Sequence, residues 1–243
     1  MNAKKLIKNL EDIQEGDKLL ICFPYAGGGA SFFKDWQKFL PDVKVCPLQM
    51  PGREERFCDE LYTDSDKLVR DIFEVMEIYK EHDIYLYGHS MGAKIAYSLA
   101  AMSEAAGMDI KGIIVSGCSA PHIPDYNPIG NLPDKEFRKA LGEYNSTPEE
   151  ILKDDGLFAM FEPMLRADFC LSEGFTFEKV KLKCPISCLC GTDDKDARRD
   201  DAKAWNEYTD RFEWNLFDGT HFFITENKEA VLDCISQSII AFG

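Results

Sequence analysis

Short apolar runs closed by Gly, Pro or Asp alternate along the chain with longer stretches of helical period. This is the pattern of β-α units wound around a mostly parallel sheet. The runs at 18–23, 43–48, 83–88, 110–116, 185–190 and 211–217 predict six strands. Residues 63–80 place Leu68, Ile72, Met76 and Tyr79 on one stripe, with Asp64 and Asp66 near the N-terminal end. That segment predicts an amphipathic helix covering the sheet. Segments 91–106 and 227–241 read the same way. The alternation breaks once, between Ser116 and the strand at 185, where the only patterns are helical, PDKEFRKALGEY and TPEEILKDDGLFAMF. A structureless loop of that length is uncommon inside a compact domain. The reading is therefore one domain over 1–243 with a helical insertion at 118–175, which is either a lid or a packing subdomain.

The chemistry starts from Gly88-His89-Ser90-Met91-Gly92, a G-x-S-x-G run between a predicted strand and a predicted helix. A serine on such a turn projects its hydroxyl above the sheet, and its crowded backbone demands small flanking residues. The following helix turns free N–H groups toward that hydroxyl. Ser90 is the candidate nucleophile, the alternative being a tight glycine turn with an incidental serine. A base is then needed, and the chain has four histidines. His89 adjoins the nucleophile, so its side chain should diverge from it and pack. His82 sits at the N-terminal end of its strand, whereas catalytic groups in parallel sheets gather at the carboxyl ends. His122 opens the insertion, where a lining or structural role is expected. His221 follows the last strand, as the late base does in the order Ser, Asp, His.

A carboxylate should hold that imidazole in its tautomer. The loop after PISCLC reads Gly-Thr-Asp-Asp-Lys-Asp and offers several acids. Spacing favours Asp194, with Asp193 as runner-up and Asp218 as a loop-stabilising side chain. Two backbone donors should complete the site. Met91 supplies one, and the glycine-rich turn after the first strand supplies the other at Ala26. No dinucleotide or phosphate-loop pattern accompanies those glycines. Phe32, Phe33 and Trp36 read as core. Cys188 and Cys190 share a strand face with no second pair at zinc spacing, so no metal is expected.

Composition narrows the partners. A hydrophobic fraction of 45% with 29% charged residues excludes disorder and fibrous repeats. A net charge of −15 repels phosphate backbones and anionic lipid, so neither nucleic acid nor a membrane surface is expected as a partner. The longest charge-free stretch, Leu19 to Phe33, holds Pro24 and three glycines and is too short to span a bilayer. The first eighteen residues lack an apolar run of signal-peptide kind, and the nine cysteines are odd in number. Both suggest a cytoplasmic chain with reduced thiols.

With serine, acid and base in place, the chain resembles the type II, or editing, thioesterases of non-ribosomal peptide and polyketide synthesis, within the α/β-hydrolase superfamily. The likeness covers CFPYAGGGAS, LQMPGREERF, YGHSMGAKIAY, FEPMLRADF, CGTDD and FDGTHFF, nearly end to end. It implies an α/β-hydrolase fold with a helical lid at 118–175. It also implies hydrolysis of acyl thioesters on the phosphopantetheine arm of acyl or peptidyl carrier proteins, by Ser90, Asp194 and His221 with Ala26 and Met91 as oxyanion donors. No cofactor is implied, since the arm belongs to the partner, and a monomer is expected. Carriers of these systems are typically acidic, so a chain at −15 gains no global steering toward them. The competing readings are a general carboxylesterase or medium-chain fatty acyl thioesterase, and a hydrolase-fold binding protein without catalysis.

Overall fold

A computed structural model describes residues 6–144 and 147–243. Residues 1–5 of the N-terminal segment and 145–146 of the insertion lie outside the described residues. Six strands form one sheet: β1 Leu19–Phe23, β2 Lys44–Pro47, β3 Ile84–His89, β4 Gly112–Ser116, β5 Ile186–Gly191 and β6 Phe212–Phe217. Every pairing between these strands is parallel, in the order β2-β1-β3-β4-β5-β6, and an isolated antiparallel bridge joins Ile7 to Leu48 just beyond β2. The six strands form a parallel sheet, in keeping with the mostly parallel one that the sequence predicts.

Strands β1, β3, β4 and β5 are buried along their whole length. That burial is why they read as continuous apolar runs and not as alternating ones. Leu19, Ile21, Phe23, Leu86, Ile113 and Val115 face one core layer. Leu20, Cys22, Tyr85, Tyr87, Ile114 and Leu189 face the other, where Phe33 and Trp36 also pack. Edge strand β6 is only half buried.

Helix α1, Ser65–Met76, buries the stripe of Leu68, Val69, Ile72, Val75 and Met76. Asp64 caps it by accepting the N–H of Lys67 at 3.0 Å. The predicted extension to residue 80 is a separate 3₁₀ turn at Glu77–Tyr79. Helix α2, Met91–Ala105, lies beside α1 on the first core layer. The insertion between β4 and β5 holds α3 Asp134–Tyr144, α4 Glu149–Lys153 and α5 Asp155–Glu173. The single helical pattern TPEEILKDDGLFAMF is therefore two helices. Asp154 leaves the helical region at φ −102°, ψ 120° and spends its carboxylate capping α5 on Leu157 N–H at 2.8 Å. The irregular chain before α3 is tied down by α5: Glu173 accepts the N–H groups of Ile129 and Gly130, and Arg166 donates to the carbonyls of Gly130 and Leu132. Short helices α6 Arg199–Lys203 and α7 Phe223–Glu226 follow β5 and β6, and α8 Lys228–Phe242 closes the chain against the second core layer.

The strand order reverses about β1, so the crevice at the carboxyl ends of β1 and β3 is the topological switch point. The register that pairs Phe23 with Gly88 brings the turn after β1 beside the turn after β3.

Candidate active site

Ser90 sits between the end of β3 and the start of α2 at φ 55°, ψ −117°. A non-glycine residue held there costs about 1–3 kcal/mol, which the surroundings must over-determine. They do so through the backbone: Ser90 N–H donates to the Ser116 carbonyl of neighbouring β4 at 2.8 Å. Both flanking glycines are needed for space. A Cβ on Gly88 would lie 2.0 Å from the Gly92 carbonyl oxygen, and one on Gly92 would lie 2.1 Å from that of Phe23. The motif's small residues are thus dictated by strand-to-helix contact.

The loops after β5 and β6 are brought together by main chain. Gly191 approaches them so closely that a Cβ there would meet the Thr220 oxygen at 2.5 Å. Asp193 N–H donates to the Gly219 carbonyl at 2.9 Å, and Gly219 N–H donates to Thr192 Oγ1 at 3.1 Å. Across this seam His221 Nδ1 meets Asp194 Oδ2 at 2.9 Å and Oδ1 at 3.1 Å. Asp194 Oδ1 also accepts the N–H groups of Asp196 and Ala197, both at 2.9 Å. The buried carboxylate is therefore fully supported. Asp193 and Asp218 are exposed and do not reach the imidazole. With Nδ1 directed at a carboxylate, Nε2 is left as the basic nitrogen.

Electrostatics fit that assignment. Burial pulls the His221 pKa down, but the Asp194 hydrogen bond and the charges of Asp194 and Asp196 outweigh it, and the net shift is upward. His89 diverges from the turn as expected, with Nδ1 on Ser116 Oγ at 3.0 Å. Burial and the charge of His221 hold its pKa well below the usual histidine value, so it stays neutral. Its ring packs 4.9 Å from that of His221, a support the sequence did not reveal.

Ser90, His221 and Ala26 line one cavity of about 410 Å³. No hydrogen bond joins the Ser90 hydroxyl to the imidazole among the described residues, a link that catalytic sites commonly tighten only when substrate binds. Neither the Ala26 nor the Met91 N–H donates to a protein acceptor among the described residues. Next to Ala26, Gly27 at φ 84° gives its N–H to Asp168 of α5 at 2.8 Å, and Asp168 is paired with Arg53. Sequence reasoning passed over both charged residues individually. The readable signal was a carboxylate on the apolar stripe of a helix, between Leu165 and Leu171, which demands a buried partner.

The far wall of the cavity comes from the insertion, with Tyr144, Phe169 and Phe175 among its lining. Lys94, one helical turn beyond Ser90, reaches the Asp125 carboxylate at 2.7 and 2.9 Å and the Ser172 carbonyl at 2.9 Å. His122 lines the same space, and its Nδ1 meets the Tyr208 hydroxyl at 3.0 Å. His82 lies apart, its Nδ1 on the Asp17 carbonyl at 3.0 Å. Cys188 and Cys190 are buried, and their thiols face the carbonyls of Ala202 and Ala197. Burial pushes the Cys190 thiol up to about 12. Among the described residues the cluster with metal-ligand geometry is Asp194, Asp196 and His221. Asp194 and His221 are already bonded to each other there, which suits a proton relay.

Residues 18–239 match the family described as Thioesterase domain. The chain is 35% identical over 236 residues to linear gramicidin dehydrogenase LgrE of Brevibacillus parabrevis, covering 94% of this chain and 90% of that one. It is 34% identical over 228 residues to the gramicidin S biosynthesis protein GrsT of Aneurinibacillus migulanus, covering 90% and 88%. The solved type II thioesterase BorB from the borrelidin biosynthetic cluster superposes with a TM-score of 0.86 at 32% identity, over 96% of this chain and 97% of that one. The redox activity in the first name is that protein's; this chain carries no G-x-G-x-x-G fingerprint. A parallel six-stranded sheet, a serine on a strained strand-to-helix turn and these likenesses lead to one assignment: the chain belongs to the thioesterase family, as a type II thioester hydrolase with the α/β-hydrolase fold.

Proposed function

We propose that Ser90, His221 and Asp194 form a relay that hydrolyses acyl thioesters on the phosphopantetheine arm of acyl or peptidyl carrier domains, releasing stalled or misprimed groups in non-ribosomal peptide or polyketide synthesis. The observation that carries this reading is the buried His221–Asp194 pair opening on the same cavity as Ser90. The pathway context of the relatives supports the choice of substrate.

His221 takes the Ser90 proton as the hydroxyl oxygen attacks the thioester carbonyl. Negative charge gathers on the carbonyl oxygen, where the N–H groups of Ala26 and Met91 receive it. Protonated His221 gives its proton to the departing pantetheine sulfur, and an acyl-serine remains. Water, deprotonated by His221, attacks the ester carbonyl, and collapse returns the proton to Ser90 and frees the carboxylic acid. Asp194 keeps Nδ1 protonated throughout and stabilises the imidazolium. The insertion at 118–175 serves as a lid over the acyl cavity. No cofactor takes part, and the enzyme works in the cytoplasm as a monomer, without nucleic acid or membrane.

Intact-mass measurement on the chain mixed with acylated carriers tests the scheme. The wild type is expected to strip acyl groups from carriers much faster than it cleaves soluble esters. Ser90→Ala is expected to fold and lose turnover. Wild-type rates in that variant, or a preference for soluble esters, would contradict it.

A further inference from the structure

Arg53 and Asp168 are 5% and 3% exposed, and they meet through two parallel bonds: Nη1 to Oδ2 at 2.6 Å and Nη2 to Oδ1 at 2.7 Å. Desolvating two charges costs several kcal/mol per ion, and apolar residues of similar volume commonly stabilise a core as well as such a pair does. Stability alone therefore does not account for it. The remaining bonds of the pair do. Asp168 Oδ2 accepts the Gly27 N–H at 2.8 Å, Arg53 Nη1 donates to the Gly28 carbonyl at 2.8 Å, and Arg53 Nε donates to the Pro51 carbonyl at 3.1 Å.

The ion pair thus grips consecutive residues of the glycine turn, one by its N–H and the next by its carbonyl. Gly28 N–H in turn donates to the Tyr25 carbonyl at 2.8 Å. The Tyr25 carbonyl and the Ala26 N–H belong to one planar trans peptide and point in opposite directions. Holding the oxygen on one side aims the hydrogen on the other. Arg53 also balances the carboxylate that accepts the N–H of Gly27, the residue after Ala26.

We propose that Arg53 and Asp168 are positioning residues that aim the Ala26 N–H at the oxyanion. This rests on the reading of Ala26 as an oxyanion donor. A misaimed donor raises the barrier without weakening ground-state binding, so the effect falls on kcat and on the affinity for a tetrahedral mimic.

The test uses the full chain with an acyl-pantetheine thioester, an alkyl boronic acid as the tetrahedral mimic, and a thermal melt. Asp168→Asn exchanges one acceptor oxygen for a donor. It is expected to lose about 10- to 100-fold in kcat and in boronate affinity, with KM within about twofold. Arg53→Lys keeps the charge without the fork and is expected to fall between the wild type and Asp168→Asn. The paired change Arg53→Met with Asp168→Leu restores an apolar filling. It is expected to melt near the wild type yet show the same kinetic loss, and it carries the test where Asp168→Asn does not fold. Wild-type kcat and boronate affinity in a folded variant would overturn the proposal, as would a loss confined to KM. A wild type that cleaves no thioester would instead fail the parent reading.

Discussion

The most informative single residue is His221, because its neighbours pull it in opposite directions. Burial favours the neutral ring, while the Asp194 hydrogen bond and the Asp194 and Asp196 charges favour the imidazolium and prevail. The other titratable groups facing it are His89, held neutral by burial, and Tyr144, whose ring lies edge-on with its centroid 6.4 Å from that of the imidazole. A general base works only when unprotonated. With His221 as the proposed base, the rate is expected to be low at acid pH and to rise through a midpoint above the ordinary histidine value of about 6.5. Asp196→Asn removes one of the charges that favour protonation, so the rising limb of kcat/KM is expected to move to lower pH. A pH–rate profile on a pantetheine thioester checks the sign, and an unmoved or higher midpoint would count against the assignment.

At the level of elements, the turn that carries Ser90 depends on how closely α2 approaches β1. A Cβ at position 92 has nowhere to go, because the obstacle at 2.1 Å is the Phe23 carbonyl and not a flexible side chain. Gly92→Ala is expected to cost about 1–3 kcal/mol by overpacking. It should also lower kcat, since Phe23 leads directly into the turn bearing Ala26. Denaturant midpoints and turnover measured on the same preparation check both effects. Strands and sheet-covering helices were legible in the sequence because buried parallel strands and amphipathic helices leave distinct periodicities. The helix break at Asp154 was not, since its cause is a capping carboxylate inside an unbroken polar pattern. Asp194 could be preferred over Asp193 from loop spacing, but its two backbone donors could not be read. The Arg53–Asp168 pair joins residues 115 positions apart, a contact that no local pattern encodes.

For the whole molecule the dominant quantity is the net charge of −15. Against an acidic carrier this field slows encounter, and salt screens it over about 10 Å at 0.1 M. Raising ionic strength is expected to increase kcat/KM on an acidic carrier-bound substrate and to leave a free pantetheine thioester nearly unaffected. Parallel salt titrations with the two substrates check this, and equal responses would show that docking ignores the global field. Finally, the proposed reacting groups issue from the ends of β1, β3, β5 and β6, whereas residues 118–175 enter through the single connection between β4 and β5. On the proposed reading, the chemistry and the shape of the cavity are separable parts. Polar stitches between them include Lys94 to Asp125 and Ser172, Arg53 and Gly27 to Asp168, His122 to Tyr208 and Tyr126 to Asp201. A transplanted insertion that keeps Asp125 and Asp168 along with the other bonds across this boundary is expected to leave the proposed reaction in place while changing which acyl groups fit.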